Sequence, residues 1–187
     1  MPKRTRPRHG TLQYWPRKRA KRIVTRTRHW PASKEARPLG FAGWKAGMTH
    51  VQLVDQNAKS PTFGKTIVKP VTVIDAPSLF VCGLRFYKHS SSSPLSSSHS
   101  VGEKWAKLPK DVKLKLKMNS KSEAPNDFDD IHLIVATQPS KSGMRQMKSD
   151  IFEIAVGGTD KLAYCESLLG KEISAKYAFK PGEFVDV

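Results

Sequence analysis

Acidic residues are scarce in this chain of 187 residues, and residues 1–30 contain none. The chain has 16 Asp and Glu against 33 Lys and Arg, which gives a formal charge of +17. Such a surplus repels itself in water. It becomes favourable beside a polyanion, because each neutralised phosphate releases condensed counterions. The charge therefore favours nucleic acid as the partner, with an anionic membrane surface as the weaker alternative.

Long apolar runs are missing as well. No stretch approaches the roughly 20 residues of a membrane-spanning helix, and the N-terminus lacks the apolar core of a secretory signal. We therefore expect no membrane partner. The only two cysteines, Cys82 and Cys165, lie in separate apolar stretches. Two are too few for the disulfide framework of a small secreted domain, so we expect buried, reduced thiols.

Patterns that carry catalytic chemistry are not found. The six histidines and two cysteines lack the spacing of metal ligands, and no P-loop occurs. Gly40, Gly43 and Gly47 are typical of turns between short strands. His50 has no nucleophile that can be named beside it, which favours a structural or RNA-contacting role over that of a general base. The sequence predicts no enzyme, no cofactor, no metal site and no small-molecule substrate.

Positive charge is concentrated at the N-terminus. Residues 1–30 hold 11 of the 33 Lys and Arg residues, including eight of the eleven arginines. The planar guanidinium grips phosphate bidentately, and interleaved aromatic rings can stack on bases. With few apolar groups, this segment is expected to be disordered alone and ordered on RNA. A solvated basic tail used for nuclear import is the alternative interpretation.

The predicted RNA-contacting residues include two that lie beyond this segment, Lys45 and His50. The full set is Lys3, Arg4, Arg6, Arg8, His9, Tyr14, Trp15, Arg17, Lys18, Arg19, Lys21, Arg22, Arg26, Arg28, Trp30, Lys45 and His50.

From Leu39 onward the composition is globular and rich in β-formers. Apolar runs predict strands at 41–44 and 48–54 around a turn at 45–47, and then at 66–74, 79–87, 131–137 and 151–156. A loop is predicted at 60–62, and Pro70 suits an edge strand or a bulge. The even-numbered apolar residues of 80–86 are expected to share one face of their strand.

The remaining segments are less regular. Residues 89–100 are rich in serine and predict a flexible insertion loop. Residues 103–108 suggest a helical turn, the alternation of Val112 to Met118 with lysines favours a strand, and 120–130 reads as an acidic loop. Thr159 is predicted to cap a helix over about 160–169, with Leu162, Cys165 and Leu169 on one face, ended by Gly170. A turn at 180–182 is expected to lead into a strand at 184–187 that is either an edge or incomplete.

Several strings in the chain carry more information than its composition. LGFAGWKAGMTH at 39–50 is the most specific of them, and GTLQYWPRKRAKR lies at 10–22. Both resemble the large-subunit ribosomal protein L-three family of archaea and eukaryotes, the second its N-terminal signature. Further matches, in family order, are PVTVI at 70–74, RFYK at 85–88, IVATQP at 134–139, IFEI at 151–154, LGKEI at 169–173 and FKPGEFVDV at 179–187.

This resemblance implies a β-rich α+β fold. A partial β-barrel of the translation-protein type would carry an α/β insertion and a long basic N-terminal extension. It places the RNA-embedded extension at 1–38, barrel strands at 39–75 and 173–187, and the insertion at 76–172. It also implies a structural constituent of the cytoplasmic large subunit that binds rRNA, contacts neighbouring ribosomal proteins and supports assembly near the peptidyl-transferase region.

Two departures limit what is carried over. Family members continue well beyond the equivalent of Val187, so the contacts with the peptidyl-transferase centre are not transferred, and the serine-rich run resembles a local insertion. Three alternatives remain open: a non-ribosomal RNA-binding protein or RNA chaperone, an RNA-modifying enzyme, and a truncated gene prediction that encodes no stable protein.

Overall fold

The structure, a computed structural model, describes residues 23–25, 27, 29–89, 98–113 and 124–187. The strands within these ranges are β1 (Trp44–Val54), β2 (Thr66–Asp75), β3 (Leu79–His89), β4 (Ser98–Trp105), β5 (Asp130–Ala136), β6 (Ile151–Ala155) and β7 (Glu172–Ile173). The α-helices there are α1 (Lys110–Lys113), α2 (Lys161–Leu168) and α3 (Ala175–Ala178), and a 3-10 turn spans Pro139–Ser142. The predicted β-rich α+β class is confirmed at this level, while closure into a barrel stays a prediction.

The larger sheet is antiparallel and has β3 at its centre. Its strands run in the order β4-β3-β5-β6, and β7 pairs with the start of β3. The predicted strands at 79–87, 131–137 and 151–156 are therefore confirmed, with ends shifted by a residue or two. Strands β3 and β5 are nearly continuous apolar runs because both faces of the sheet are covered where they lie.

A bulge in β3 decides which of its side chains share a face. The pairing of β3 with β5 slips just after Val81, so Cys82 is the extra residue. Leu84 and Phe86 consequently lie with Val81 in the main core, whereas Cys82 lies in a second cluster. The prediction that the even-numbered apolar residues share one face is wrong, because one inserted residue reverses the alternation.

The two faces of this sheet bury two separate cores. The main core joins β3, β5 and β6 to Cys165 and Leu168 of α2, and Trp30 and Phe41 pack at its border. The second core is smaller and is made by Cys82, Ile134 and Ala136, which Leu108 and Val112 cover from outside the sheet. Alternating positions of β5 supply the two clusters, as expected of a strand buried on both sides.

Strands β1 and β2 form a separate two-stranded ribbon. The turn predicted at 45–47 is wrong, since β1 runs through these residues with a bulge between Lys45 and Gly47. The strand at 66–74 is confirmed, and Pro70 lies opposite His50 on a strand whose other edge has no partner among the described residues. The loop predicted at 60–62 is also confirmed. There the carboxylate of Asp55 accepts a hydrogen bond from the hydroxyl of Thr62 at 2.6 Å.

Helix predictions failed where the cue was weak. Residues 103–105 belong to β4, where Trp105 pairs with Gly83, so the helical turn predicted at 103–108 is wrong. Helix α2 begins after Asp160 without a side-chain cap, so Thr159 is not its N-cap. Gly170, however, has a left-handed φ of 75°, which is the predicted helix stop.

The last segments also differ from expectation in part. Lys180 to Glu183 form the predicted turn, with Gly182 at a φ of 83°. Residues 184–187 are not in a strand. Val112 and Lys113 belong to α1, so the strand predicted from Val112 does not begin there, and residues 114–118 of the alternating run lie outside the described residues. The same holds for the serine-rich residues 90–97, whereas 98–100 begin β4. Among the described residues, no helix is long and apolar enough to span a membrane.

Candidate nucleic-acid interface

Most residues predicted to contact RNA lie outside the described ranges. Three of them are placed by the structure: Trp30, Lys45 and His50. The others are Lys3, Arg4, Arg6, Arg8, His9, Tyr14, Trp15, Arg17, Lys18, Arg19, Lys21, Arg22, Arg26 and Arg28. The described part of the chain therefore shows where the basic segment joins the folded sheet, and not the segment itself.

Trp30 lies at that junction and packs against protein. Its indole is partly buried at the border of the main core. The six-membered ring is so close to Gly40 that a Cβ there would lie 3.0 Å from it. The ring also meets His132 edge-on, with centroids 6.4 Å apart and an interplanar angle of 71°. This aromatic residue thus ties the end of the basic segment to the sheet.

Residues 30–42, here called the strap, continue this attachment along the edge of β6. The amide of Leu39 donates a backbone hydrogen bond of 2.9 Å to the carbonyl of Ala155. The amide of Gly157 donates one of the same length to the carbonyl of Arg37. A third, also 2.9 Å, joins the amide of Gly158 to the carbonyl of Ser33. These pairings satisfy backbone groups at the exposed edge of the sheet, which would otherwise be a site for unwanted strand pairing.

Two glycines allow the strap to approach the chain that follows β6. A Cβ at position 157 would lie 2.8 Å from both the carbonyl oxygen of Glu35 and the Cβ of Ser33. A Cβ at position 158 would lie 2.9 Å from the Cα of Ala36. Any side chain at these two positions would push the strap away, so the Gly-Gly pair is part of the attachment.

Two ion pairs connect the strap to the segment after α3. Arg37 lies 2.9 Å from the carboxylate of Glu183, and Lys180 lies 2.8 Å from that of Glu35. Both pairs are at the surface, so each contributes little to stability. They hold the strap in register with residues 180–183 rather than supplying the main attachment energy.

His132, which the ring of Trp30 contacts, belongs to a network of charged side chains. This network lies on the face of the sheet that also carries the second core. Arg85 of β3 binds the carboxylate of Glu103 through Nη2 at 2.6 Å and also pairs with Glu153 of β6. Tyr87 donates its hydroxyl hydrogen to Glu153. His132 of β5 stands between Glu153 and Asp130, with nitrogen-to-oxygen distances of 3.7 and 3.6 Å.

These contacts move the pKa values of the network in a consistent direction. Burial alone would raise the pKa of Glu153, but its contacts with His132, Tyr87 and Arg85 lower it to about 2. Burial alone would lower the pKa of His132, but the adjacent carboxylates of Asp130 and Glu153 raise it. The distances at His132 exceed those of strong hydrogen bonds, so charge attraction is the larger part of this effect. The network therefore favours a protonated His132 beside two carboxylates.

The acidic groups of this region are satisfied within the protein. Asp130 also accepts a hydrogen bond from Lys161 at 2.7 Å, and Glu103 accepts one from the indole of Trp105 at 3.0 Å. Sequence reasoning did not find this network, because its members come from four segments that only strand pairing brings together. The pairing of Arg85 with His132 and of Ile134 with Glu153 was not predictable from spacing along the chain.

Lys45 and His50 lie on the ribbon, away from Trp30 along the chain, and both are exposed. His50 is opposite Pro70 and on the same face as exposed Met48 and Val68. Both faces of the ribbon carry exposed apolar residues, so the ribbon lacks a cover within the described part of the chain. The structure does not bring Lys45 and His50 into one cluster with Trp30.

The two cysteines are free and fully buried in different cores, as predicted. Burial raises the pKa of each thiol to about 12. Within the described ranges, no group of three or more His, Cys, Asp or Glu side chains could hold a metal ion. The buried thiols are therefore packing groups.

Comparison with known proteins gives consistent matches. A family model described as ribosomal protein L3 matches residues 1–125. The large ribosomal subunit protein uL3 of Caldivirga maquilingensis is 40% identical over 205 residues, covering 97% of this chain and 58% of that protein. The uL3 proteins of Methanopyrus kandleri and Methanococcus vannielii are 39% and 38% identical, covering 97% and 98% of this chain and 54% and 58% of theirs. The chain spans a little more than half the length of these curated relatives.

Proposed function

Because the chain belongs to the ribosomal protein L3 family, we propose that it is a structural constituent of the large ribosomal subunit that binds large-subunit rRNA. In this role it supports subunit assembly in the cytoplasm, contacts neighbouring ribosomal proteins and performs no catalysis. The observation that carries the proposal is the alignment itself, which covers 97% of the chain and so includes the basic N-terminal residues. The relatives are large-subunit proteins by name, and this chain carries basic and aromatic residues that suit RNA.

The basic segment is proposed as the main RNA contact. It has 11 basic residues and no acidic one in its first 30 positions, so no internal carboxylate there competes with phosphate. Its arginines suit bidentate phosphate binding, and Tyr14 and Trp15 suit stacking on bases. An extended basic segment with aromatic residues can wrap a folded RNA surface that a rigid sheet cannot follow.

The strap supports this role by holding the end of the segment in one place. Trp30 is packed on the sheet, and three backbone hydrogen bonds follow it within residues 33–39. A segment attached at a defined point loses less freedom on binding than one on a long flexible linker. We propose that Trp30 anchors the segment to the sheet and presents its exposed edge to RNA.

The ribbon is proposed as the start of the barrel. The boundaries proposed for the domains are 1–38 for the extension, 39–75 and 173–187 for barrel strands, and 76–172 for the insertion. Exposed apolar residues on both faces of the ribbon support this assignment, because barrel strands have one covered face. Lys45 and His50 would then contact RNA from the outer surface of the ribbon.

The proposal is tested by the salt dependence of binding. If roughly 6–8 phosphates are neutralised, the logarithm of the binding constant of the full chain for large-subunit rRNA should fall with log salt with a slope of about −4 to −7. A variant with all eight N-terminal arginines changed to glutamine should lose most of this slope, while Trp30 and the strap stay intact. Trp15→Ala should weaken binding by ~1–3 kcal/mol with little change in slope, because stacking releases no counterions.

Two results would count against the proposal. An unchanged slope in the arginine-to-glutamine variant would mean that the folded part does the binding. Equal affinity of the unaltered chain for large-subunit rRNA and for an unrelated RNA of equal length would favour a general RNA-binding protein or RNA chaperone.

A further inference from the structure

A short stretch of the sequence is rich in lysine and lies far along the chain from the basic N-terminus. Residues 104–121 contain seven lysines and one acidic residue, Asp111. This charge density is not explained by packing, because lysine is costly to bury and seldom found in cores. The described part of the segment, 104–113, shows how its charges are held.

Two apolar residues anchor the segment on the sheet. Leu108 and Val112, four residues apart, are 6% and 2% exposed and cover the second core. Lys107, Lys110 and Lys113 are all exposed. The segment is therefore held on the sheet by its two buried apolar side chains, while its three lysines remain exposed to solvent.

Lys107, Lys110 and Lys113 have no carboxylate partner among the described residues, a property they share with other exposed lysines such as Lys171 and Lys176, but these three lie together within seven residues of the chain. Lys88, Lys104, Lys141, Lys161 and Lys180 each form an ion pair with a described carboxylate. None of the ion pairs of the described residues includes Lys107, Lys110 or Lys113.

The carboxylates of Glu103 in β4 and Glu153 in β6 are engaged with other side chains. Glu103 is bound by Arg85 and by the indole of Trp105, and Glu153 is bound by Arg85 and Tyr87. Glu103 and Glu153 are therefore not partners of the three lysines. Three exposed cations close together along the chain, without a described carboxylate partner, attract a polyanion.

We propose that Lys107, Lys110 and Lys113, here called the lysine face, are a second RNA-binding surface that contacts the phosphate backbone. This inference rests on the proposed function and extends it to the folded part of the chain. Lysines act as point charges without the bidentate geometry of arginine, so the lysine face contacts phosphates of any sequence. The arginine-rich N-terminal segment and the lysine face then hold RNA at two separate places on one protein.

The test changes the three lysines to glutamine in the full chain and measures RNA binding against salt. Losing three phosphate contacts should make the log–log slope shallower by about 2–3, with both large-subunit rRNA and an unrelated RNA of equal length. Because Leu108 and Val112 are untouched, circular dichroism should be unchanged. The matched control removes the same charge from exposed lysines that likewise form no ion pair, Lys148, Lys171 and Lys176.

A second readout detects contact directly. Acetylation of the full chain with and without bound rRNA, followed by mass spectrometry, should show Lys107, Lys110 and Lys113 protected by RNA and Lys171 and Lys176 labelled equally in both. Unchanged slope and unchanged labelling at the three lysines would overturn the inference, as would an equal loss of slope in the control. The proposed function would fail separately, by a lack of preference of the unaltered chain for large-subunit rRNA, and a shallower slope with both RNAs would then still support the lysine face.

Discussion

Replacing Gly157 with alanine should loosen the strap (residues 30–42) without changing any basic residue. The new Cβ would lie 2.8 Å from the carbonyl oxygen of Glu35 and from the Cβ of Ser33, well inside van der Waals contact. Gly157 is not among the glycines with positive φ, so alanine is compatible with its backbone. The whole effect should therefore come from the collision with the strap.

The size of the effect follows from the contacts that compete. Overpacking of this kind costs ~1–3 kcal/mol. The three backbone hydrogen bonds of the strap contribute roughly 0.5–1.5 kcal/mol each. Because these energies are similar, the hydrogen bonds of the strap should open while those of the larger sheet stay intact. The opening equilibrium of the strap should rise by roughly 5- to 150-fold, at about 1.4 kcal/mol for each factor of ten.

Amide hydrogen exchange of the full chain measures this opening. Peptides within residues 29–42 should exchange faster by that factor in Gly157→Ala, while peptides of β3 and β5 keep their protection. Gly47→Ala is the matched control, because a Cβ at position 47 meets nothing within 4 Å. Equal exchange of the strap in Gly157→Ala and in the unaltered protein would refute the placement of the strap against Gly157.

Three further predictions concern the folded sheet. Leu84→Ala should lower the unfolding free energy by ~2–5 kcal/mol in urea titrations, because Leu84 is 0% exposed in the main core. The pKa of Glu153 is lowered from 4.5 to about 2. Its contribution to the free energy of unfolding is therefore present above pH 4.5 and is lost as the pH falls towards 2. The pKa of His132 is raised from 6.5. Its contribution to the free energy of unfolding is therefore fully present below pH 6.5 and is lost as the pH rises through the raised pKa. Glu153→Gln should weaken both pH dependences of the unfolding free energy. A variant with the same pH profile of unfolding free energy as the unaltered protein would contradict the network. Cys82 and Cys165 should react with a thiol reagent only after unfolding, since burial raises both pKa values to about 12.

The sequence predicted strands best where apolar residues are dense. Strands β3, β5 and β6 were found because runs of branched and aromatic residues bounded by turn residues leave few alternatives. What it missed was the bulge at Cys82, which places Leu84 and Phe86 on the face opposite to Cys82. Bulges arise from how two strands pair, and a single strand's pattern carries no signal of them.

Weaker local cues were overridden by tertiary pairing. Residues 103–105 suggested a helical turn, yet they complete β4 because Gly83 lets Trp105 pack closely on β3. Thr159 is a good cap residue, but the tight approach of Ala36 to Gly158 sets the path of the chain just before α2. In both places a glycine whose partner is distant in sequence decided the outcome.

For the candidate interface, the charge and the aromatic residues were predictable from the sequence, but the attachment of the basic segment to the sheet was not. Trp30 was predicted from its position among arginines as an RNA-stacking residue, and the structure adds its packing on the sheet. The charged network around His132 was not predictable, since its partners are separated by up to 68 residues along the chain. The lysine face required knowledge that Leu108 and Val112 are anchored on the sheet.

Sedimentation of cell extract on a sucrose gradient tests the central claim most directly. If the chain is a constituent of the large ribosomal subunit, the full chain should sediment with large subunits and remain there after a moderate salt wash. Digestion of the rRNA should release it. Finding the chain only at the top of the gradient, free of large subunits before any salt wash, would contradict the ribosomal role.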